Sequence, residues 1–146
     1  MKAGIAKAAG FGATVAVGLV LILYLVADAA SGPLLVTQPG SDNIEEVALG
    51  TVVAFTVLGG VVGLGVALVV NRCNWPPWTF VAVCVAAFLL YGIVPFIAAE
   101  QISTAIWLNA MHLAAAAPII GLLARSLADA RNQPAITTTE PQRTTA

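Results

Sequence analysis

Residues 102–123 read ISTAIWLNAMHLAAAAPIIGLL, a run with no Asp, Glu, Lys or Arg. A stretch of this length and apolarity suits a membrane-spanning helix. It also holds the only histidine of the chain, His112, near its middle. Asn109 precedes His112 by one helical turn, so the two share a face. At about 100° per residue, Ala105, Ala116 and Leu123 fall on that side, while Ala110, Ala114, Ala117 and Gly121 fall opposite. Both faces are small. Small faces let helix backbones approach closely in lipid, so this segment reads as the central helix of a bundle. Pro118 removes one backbone donor and predicts a mild kink.

The other segments follow the same logic. Of 146 residues, 60% are hydrophobic and only 9% charged. Soluble domains carry about 25% charged residues, so the composition points to a membrane protein. The apolar residues gather in four blocks, predicting spans at about 9–29, 47–70, 78–99 and 102–124. The expected fold class is all-α: a four-transmembrane-helix bundle occupying residues 1–128. Residues 129–146, rich in Thr, Pro, Gln and Ala, are expected to form a disordered cytoplasmic tail.

Each block has its own signature. The first opens with Lys2 and Lys7, and Ala27-Asp28-Ala29 resembles a signal-peptide cleavage site. Its apolar run exceeds the roughly 7–15 residues of a secretory h-region, so it reads as an uncleaved span. The loop from Ser31 to Glu46 is rich in turn residues and carries Asp42, Glu45 and Glu46. Ser41 or Asp42 is expected to cap a helix whose first turn holds the two glutamates. These carboxylates lack the spacing of an EF-hand. In the second block Gly59, Gly63 and Ala67 recur every four residues beside Thr56 and Gly60, a stripe suited to close packing. Its glycines lie within a span, without a lysine or a preceding strand, which excludes a phosphate loop. Trp75-Pro76-Pro77-Trp78 is an interfacial anchor: tryptophans favour headgroup depth, and proline begins a helix but does not continue one. In the third block Cys84, Ala87, Phe88, Tyr91 and Pro95 share a face. The short connection through Glu100 and Gln101 makes spans three and four antiparallel neighbours.

Charge sets the orientation. All six Lys and Arg residues (Lys2, Lys7, Arg72, Arg125, Arg131 and Arg143) fall on one side once four spans are drawn. Asp42, Glu45, Glu46 and Glu100 fall on the other. The positive-inside rule then places both termini in the cytoplasm and the chain in the plasma membrane.

The layout resembles a group of small actinobacterial membrane proteins catalogued only as a domain of unknown function. The residues that carry the resemblance are the charged start, the acidic loop after the first span, and Asn109-Ala110-Met111-His112-Leu113 before an alanine-rich stretch. The resemblance spans about residues 8–128. It implies a class and a membrane address, but no mechanism.

Three functions compete. The favoured one is a non-enzymatic structural or accessory subunit in which small helix faces meet a partner membrane protein or a second copy. The alternative is a small-molecule or proton-linked transport or binding protein, with a polar intramembrane cluster of His112, Asn109, Tyr91 and Thr56. The third is haem binding by His112, which needs a second axial ligand from elsewhere. The bland reading of His112 is a neutral imidazole hydrogen-bonded to another helix. Two cysteines, Cys73 and Cys84, and one histidine do not make a zinc or iron–sulfur ligand set within one chain. No cofactor is expected, nor any nucleic-acid partner. The expected environment is the lipid bilayer.

Overall fold

The computed structural model describes residues 2–37 and 43–132. It contains four helices long and apolar enough to cross a membrane: Ala3–Ser31, Leu49–Arg72, Pro77–Ala98 and Ile102–Asn132. By length and composition the chain is therefore a multi-pass membrane protein. In order, the elements are α1 (Lys2–Ser31), β1 (Leu35–Thr37), β2 (Ile44–Glu46), α2 (Leu49–Arg72), α3 (Pro77–Gly92), α4 (Val94–Ala98) and α5 (Ile102–Asn132).

The two ends of the bundle are built differently. At one end α1 stops at Gly32, whose φ of 73° suits a residue without a Cβ. Its N–H donates to the Asp28 carbonyl at 2.9 Å, closing the last turn. The chain then forms an antiparallel hairpin, with Leu35 opposite Glu46 and Thr37 opposite Ile44. Val36 also bridges to Ala99, which fastens the hairpin to the connection between α4 and α5. At the other end α2 closes with a Schellman motif. The Trp75 N–H reaches the Val70 carbonyl at 3.0 Å, and the Asn74 N–H reaches Asn71 at 3.4 Å. Asn74 takes the left-handed position, with φ 57°. Pro77 then opens α3.

Five expectations change. Glu45 and Glu46 lie in β2 and not in a helical first turn. Backbone pairing with Leu35–Thr37, extended by the Val47 N–H to Leu34 carbonyl bond at 2.9 Å, holds them extended. The following helix starts at Leu49 behind Ala48, without a side-chain cap. Ser41 and Asp42 lie outside the described residues. The hairpin lies in the connection between α1 and α2, and the four spans themselves are helical. Third, the helical run after Pro77 is interrupted at Ile93, because Pro95 has no N–H to offer the Tyr91 carbonyl one turn back. Fourth, α5 runs unbroken through Pro118 to Asn132, so residues 129–132 are helix and not tail. The rest of the expected tail lies outside the described residues. Finally, Gly59 stands outside the packed stripe of α2, with nothing within 4 Å of a Cβ built there.

The packed face of α2 is Thr56, Gly60, Gly63, Ala67 and Val70. A Cβ on Gly63 would lie 3.3 Å from Ile119 Cγ2 and 3.6 Å from Leu123 Cδ1. One on Gly12 would lie 3.2 Å from the Cα of Ile119 and 3.4 Å from the Pro118 carbonyl oxygen. Helix α1 therefore approaches the backbone of α5 directly, and α2 packs its glycines on the side chains of Ile119 and Leu123 at the same level. Without a hydrophobic drive between helices in lipid, such contact supplies much of the cohesion. As expected for a central helix, α5 touches α1, α2, α3 and α4. The core next to the Trp75 end joins Ala67, Val70, Phe80, Leu123 and Leu127. A second, nearer the hairpin, joins Val20, Ala27, Leu34 and Met111.

Candidate functional site

The four polar residues expected to cluster sit on three helices. Thr56 is buried on the packed face of α2 and donates its hydroxyl to the Val52 carbonyl at 2.8 Å. Asn109 is half-buried on α5, and its Nδ2 donates to the Ala105 carbonyl at 3.0 Å. Its Oδ1 faces α3, lying 3.2 Å from where a Cβ on Gly92 would be. The Nδ1 of His112 is 2.9 Å from the Leu108 carbonyl. A carbonyl only accepts, so Nδ1 carries the proton, and in the neutral ring Nε2 is a bare acceptor. Each of these groups therefore satisfies its own helix one turn back, a common arrangement for polar side chains in apolar surroundings. His112 is exposed, and Tyr91 on α3 is 66% exposed.

Of the expected cluster, Asn109 is thus brought against α3 at Gly92, the residue after Tyr91. Among the described residues, no hydrogen bond joins His112, Asn109, Tyr91 and Thr56 to one another. The interhelical partner expected for His112 is replaced by Leu108 of its own helix.

Polar links between distant segments occur instead at the ends of the bundle. At the hairpin end, Thr37 donates its hydroxyl to the Glu100 carboxylate, and the Glu100 N–H reaches the Leu35 carbonyl at 3.3 Å. Trp107 Nε1 donates to Ser31 Oγ at 3.0 Å, tying α5 to the end of α1. The Tyr24 hydroxyl donates to the Val47 carbonyl at 2.9 Å, tying α1 to the start of α2. At the other end, Arg131 donates to the Trp75 carbonyl and lies 3.5 Å from Asn74 Oδ1. Sequence reasoning missed all of these. No periodicity marks them, since their partners are 23 to 76 residues apart.

These contacts brace the ends of helices and do not assemble a reactive group. Cys73 and Cys84 are free thiols. Among the described residues, no three His, Cys, Asp or Glu side chains gather as a metal-ligand set. A shallow apolar depression between α1 and α2 is lined by Ala13, Thr14, Val17 and Val57. Its one hydroxyl, that of Thr14, already donates to the Gly10 carbonyl at 3.0 Å. A family model matches residues 2–129 of the chain. No curated protein and no solved structure matches it.

Proposed function

The chain belongs to that family, the family of unknown function DUF6069, and from this premise we propose that it is a non-enzymatic integral membrane protein acting as a structural or accessory subunit. The observation that carries this reading is the state of the polar atoms in the spans. Thr56, Asn109 and His112 each bond to a carbonyl of their own helix and do not converge on a common point. A catalytic or transport site needs groups held in mutual register around a substrate. The polar links here run between helix ends, which suits a rigid apolar scaffold.

The scaffold lies in the plasma membrane with both termini in the cytoplasm. What supports the orientation is the segregation of Lys and Arg: Lys7, Arg72, Arg125 and Arg131 belong to the Trp75 end, and Glu45, Glu46 and Glu100 to the hairpin end. The hairpin then faces outward.

Affinity purification of the tagged chain from native membranes in a mild detergent tests the role. A second membrane protein should co-purify in a fixed ratio, and the pure chain in proteoliposomes should produce no pH-dependent solute flux. Flux by the pure chain, lost in His112→Gln, would establish the transport alternative instead.

A further inference from the structure

Three helices each carry one stripe along which burial changes abruptly. On α2, Val70 is 2% exposed. On α3, Phe80 is 0% exposed, and on α5 so is Leu123. These three residues pack in one cluster next to the Trp75 end. Eleven residues along an α-helix return nearly to the same face, about 16 Å away. Eleven residues nearer the hairpin, the same stripes carry Gly59, Tyr91 and His112, and all three are exposed. Gly59 has open space around it. The seam between α2 and α3 is therefore closed near the Trp75 loop and open at mid-span, with α5 as the floor of the cleft; nearer the hairpin the stripes of α3 and α5 are covered again at Pro95 and Ala105.

His112 stands in that cleft with Nδ1 committed to Leu108, which leaves Nε2 as an acceptor. Lipid tails carry no donor. Tyr91, on the cleft face of α3, has a phenolic O–H that bonds to nothing among the described residues. Asn109 touches Gly92, so along the bundle axis Tyr91 and His112 differ by only about 3 Å. A two-fold axis along the membrane normal preserves depth. Under it, the donor of each copy meets the acceptor of the other at matching height.

We infer that the cleft between α2 and α3 is the seat of a second copy of this chain, with Tyr91 of each protomer hydrogen-bonded to His112 of the other. Helix α3 is the element that inserts. It contacts the bundle through one face, and Ala82, Ala86 and Ala87 leave its exposed sides narrow. Gly59 gives the incoming helix room to approach α2. The pairing rests on the membrane-spanning reading and not on the accessory role.

The test is the oligomeric state of the full chain in liposomes, followed by single-molecule photobleaching across a dilution of protein in lipid. The wild type should form dimers. Tyr91→Phe and His112→Leu should each weaken dimerisation about eight-fold, as expected for losing two interhelical hydrogen bonds of average strength in a membrane. The double variant should be no worse than either single one, because each already removes both bonds. Gly59→Leu should abolish the dimer while leaving the thermal stability of the monomer intact, since its side chain enters open space. In a Cys73→Ser, Cys84→Ser background, Ala87→Cys should cross-link two copies, and Val61→Cys, on the far side of α2, should not. A monomer at every protein density, additive losses in the double variant, or cross-linking through Val61→Cys instead would overturn the proposal. The measurement uses the pure chain alone, so its outcome is independent of whether a different protein co-purifies from native membranes.

Discussion

Gly63→Leu probes the closest approach in the bundle. The Cβ alone would sit 3.3 Å from Ile119 Cγ2 and 3.6 Å from Leu123 Cδ1. Ile119 has little freedom to give way. It is β-branched, which stiffens χ1, and its Cα lies 3.2 Å from where a Cβ on Gly12 of α1 would be. Leu123 is fully buried. Alanine at position 63 asks Ile119 to shift a few tenths of an ångström. Its better helix propensity, about 1 kcal/mol, offsets that strain, so Gly63→Ala should be close to neutral. Leucine adds three more carbons with nowhere to go, so α2 must move off α5. Overpacking of this kind costs about 1–3 kcal/mol, and a 2 kcal/mol loss lowers the folded-to-unfolded ratio about 30-fold. The assay is reversible unfolding in mixed micelles, read by tryptophan fluorescence. Gly59→Leu is the matched control: same helix, same substitution, but nothing within 4 Å of its Cβ. It should match or slightly exceed the wild type. Equal stability of the two leucine variants would refute the assignment of the packed face.

Other expectations are more local. Reporter fusions should place residue 131 and the N-terminus inside the cell and Glu100 outside, and a periplasmic signal from a fusion after Arg131 would overturn the orientation. Gly32→Ala should cost about 1 kcal/mol of unfolding free energy, because its φ of 73° is strained for any residue with a Cβ; an unchanged unfolding curve would mean that the turn rearranges freely. Trp107→Phe should remove the link to Ser31 and lower stability by about 1 kcal/mol, with Ser31→Ala adding nothing further in the double variant. His112→Gln should leave monomer stability within about 0.5 kcal/mol of wild type, since the imidazole is exposed and bonds only within its own helix. In a deletion strain, a folded, abundant His112→Gln protein that fails to complement would show that the ring does chemistry beyond packing.

The number of spans, their approximate limits and the membrane setting were legible in the amino-acid order. All three depend on runs of apolar residues long enough to cross a bilayer, a local property. The central place of α5 was legible too, from its two small faces. So was the packing value of Gly63, although Gly60 and not Gly59 accompanies it. The two glycines are neighbours in sequence and about 100° apart on the helix. Which of them faces a partner depends on how α2 is rotated, and the partners Ala13 and Ile119 decide that. Pairing across the loop likewise overrode the helical reading of Glu45 and Glu46. A hairpin bond to Leu35 joins residues that no local window connects.

The polar residues illustrate the same division. Their identity and shared depth followed from sequence spacing and the rise of a helix. Their isolation from one another did not. Whether His112 meets a neighbouring helix depends on where α3 parts from α2. That is set by the Trp75 loop at one end and the packing of Phe80 against Val70 and Leu123, contacts between segments far apart in the chain. A single sequence carries the periodicity of each helix, but the relative tilt of two helices is a property of the pair. The tertiary structure alone therefore turned a mid-span histidine from a candidate core residue into an exposed one that bonds within its own helix.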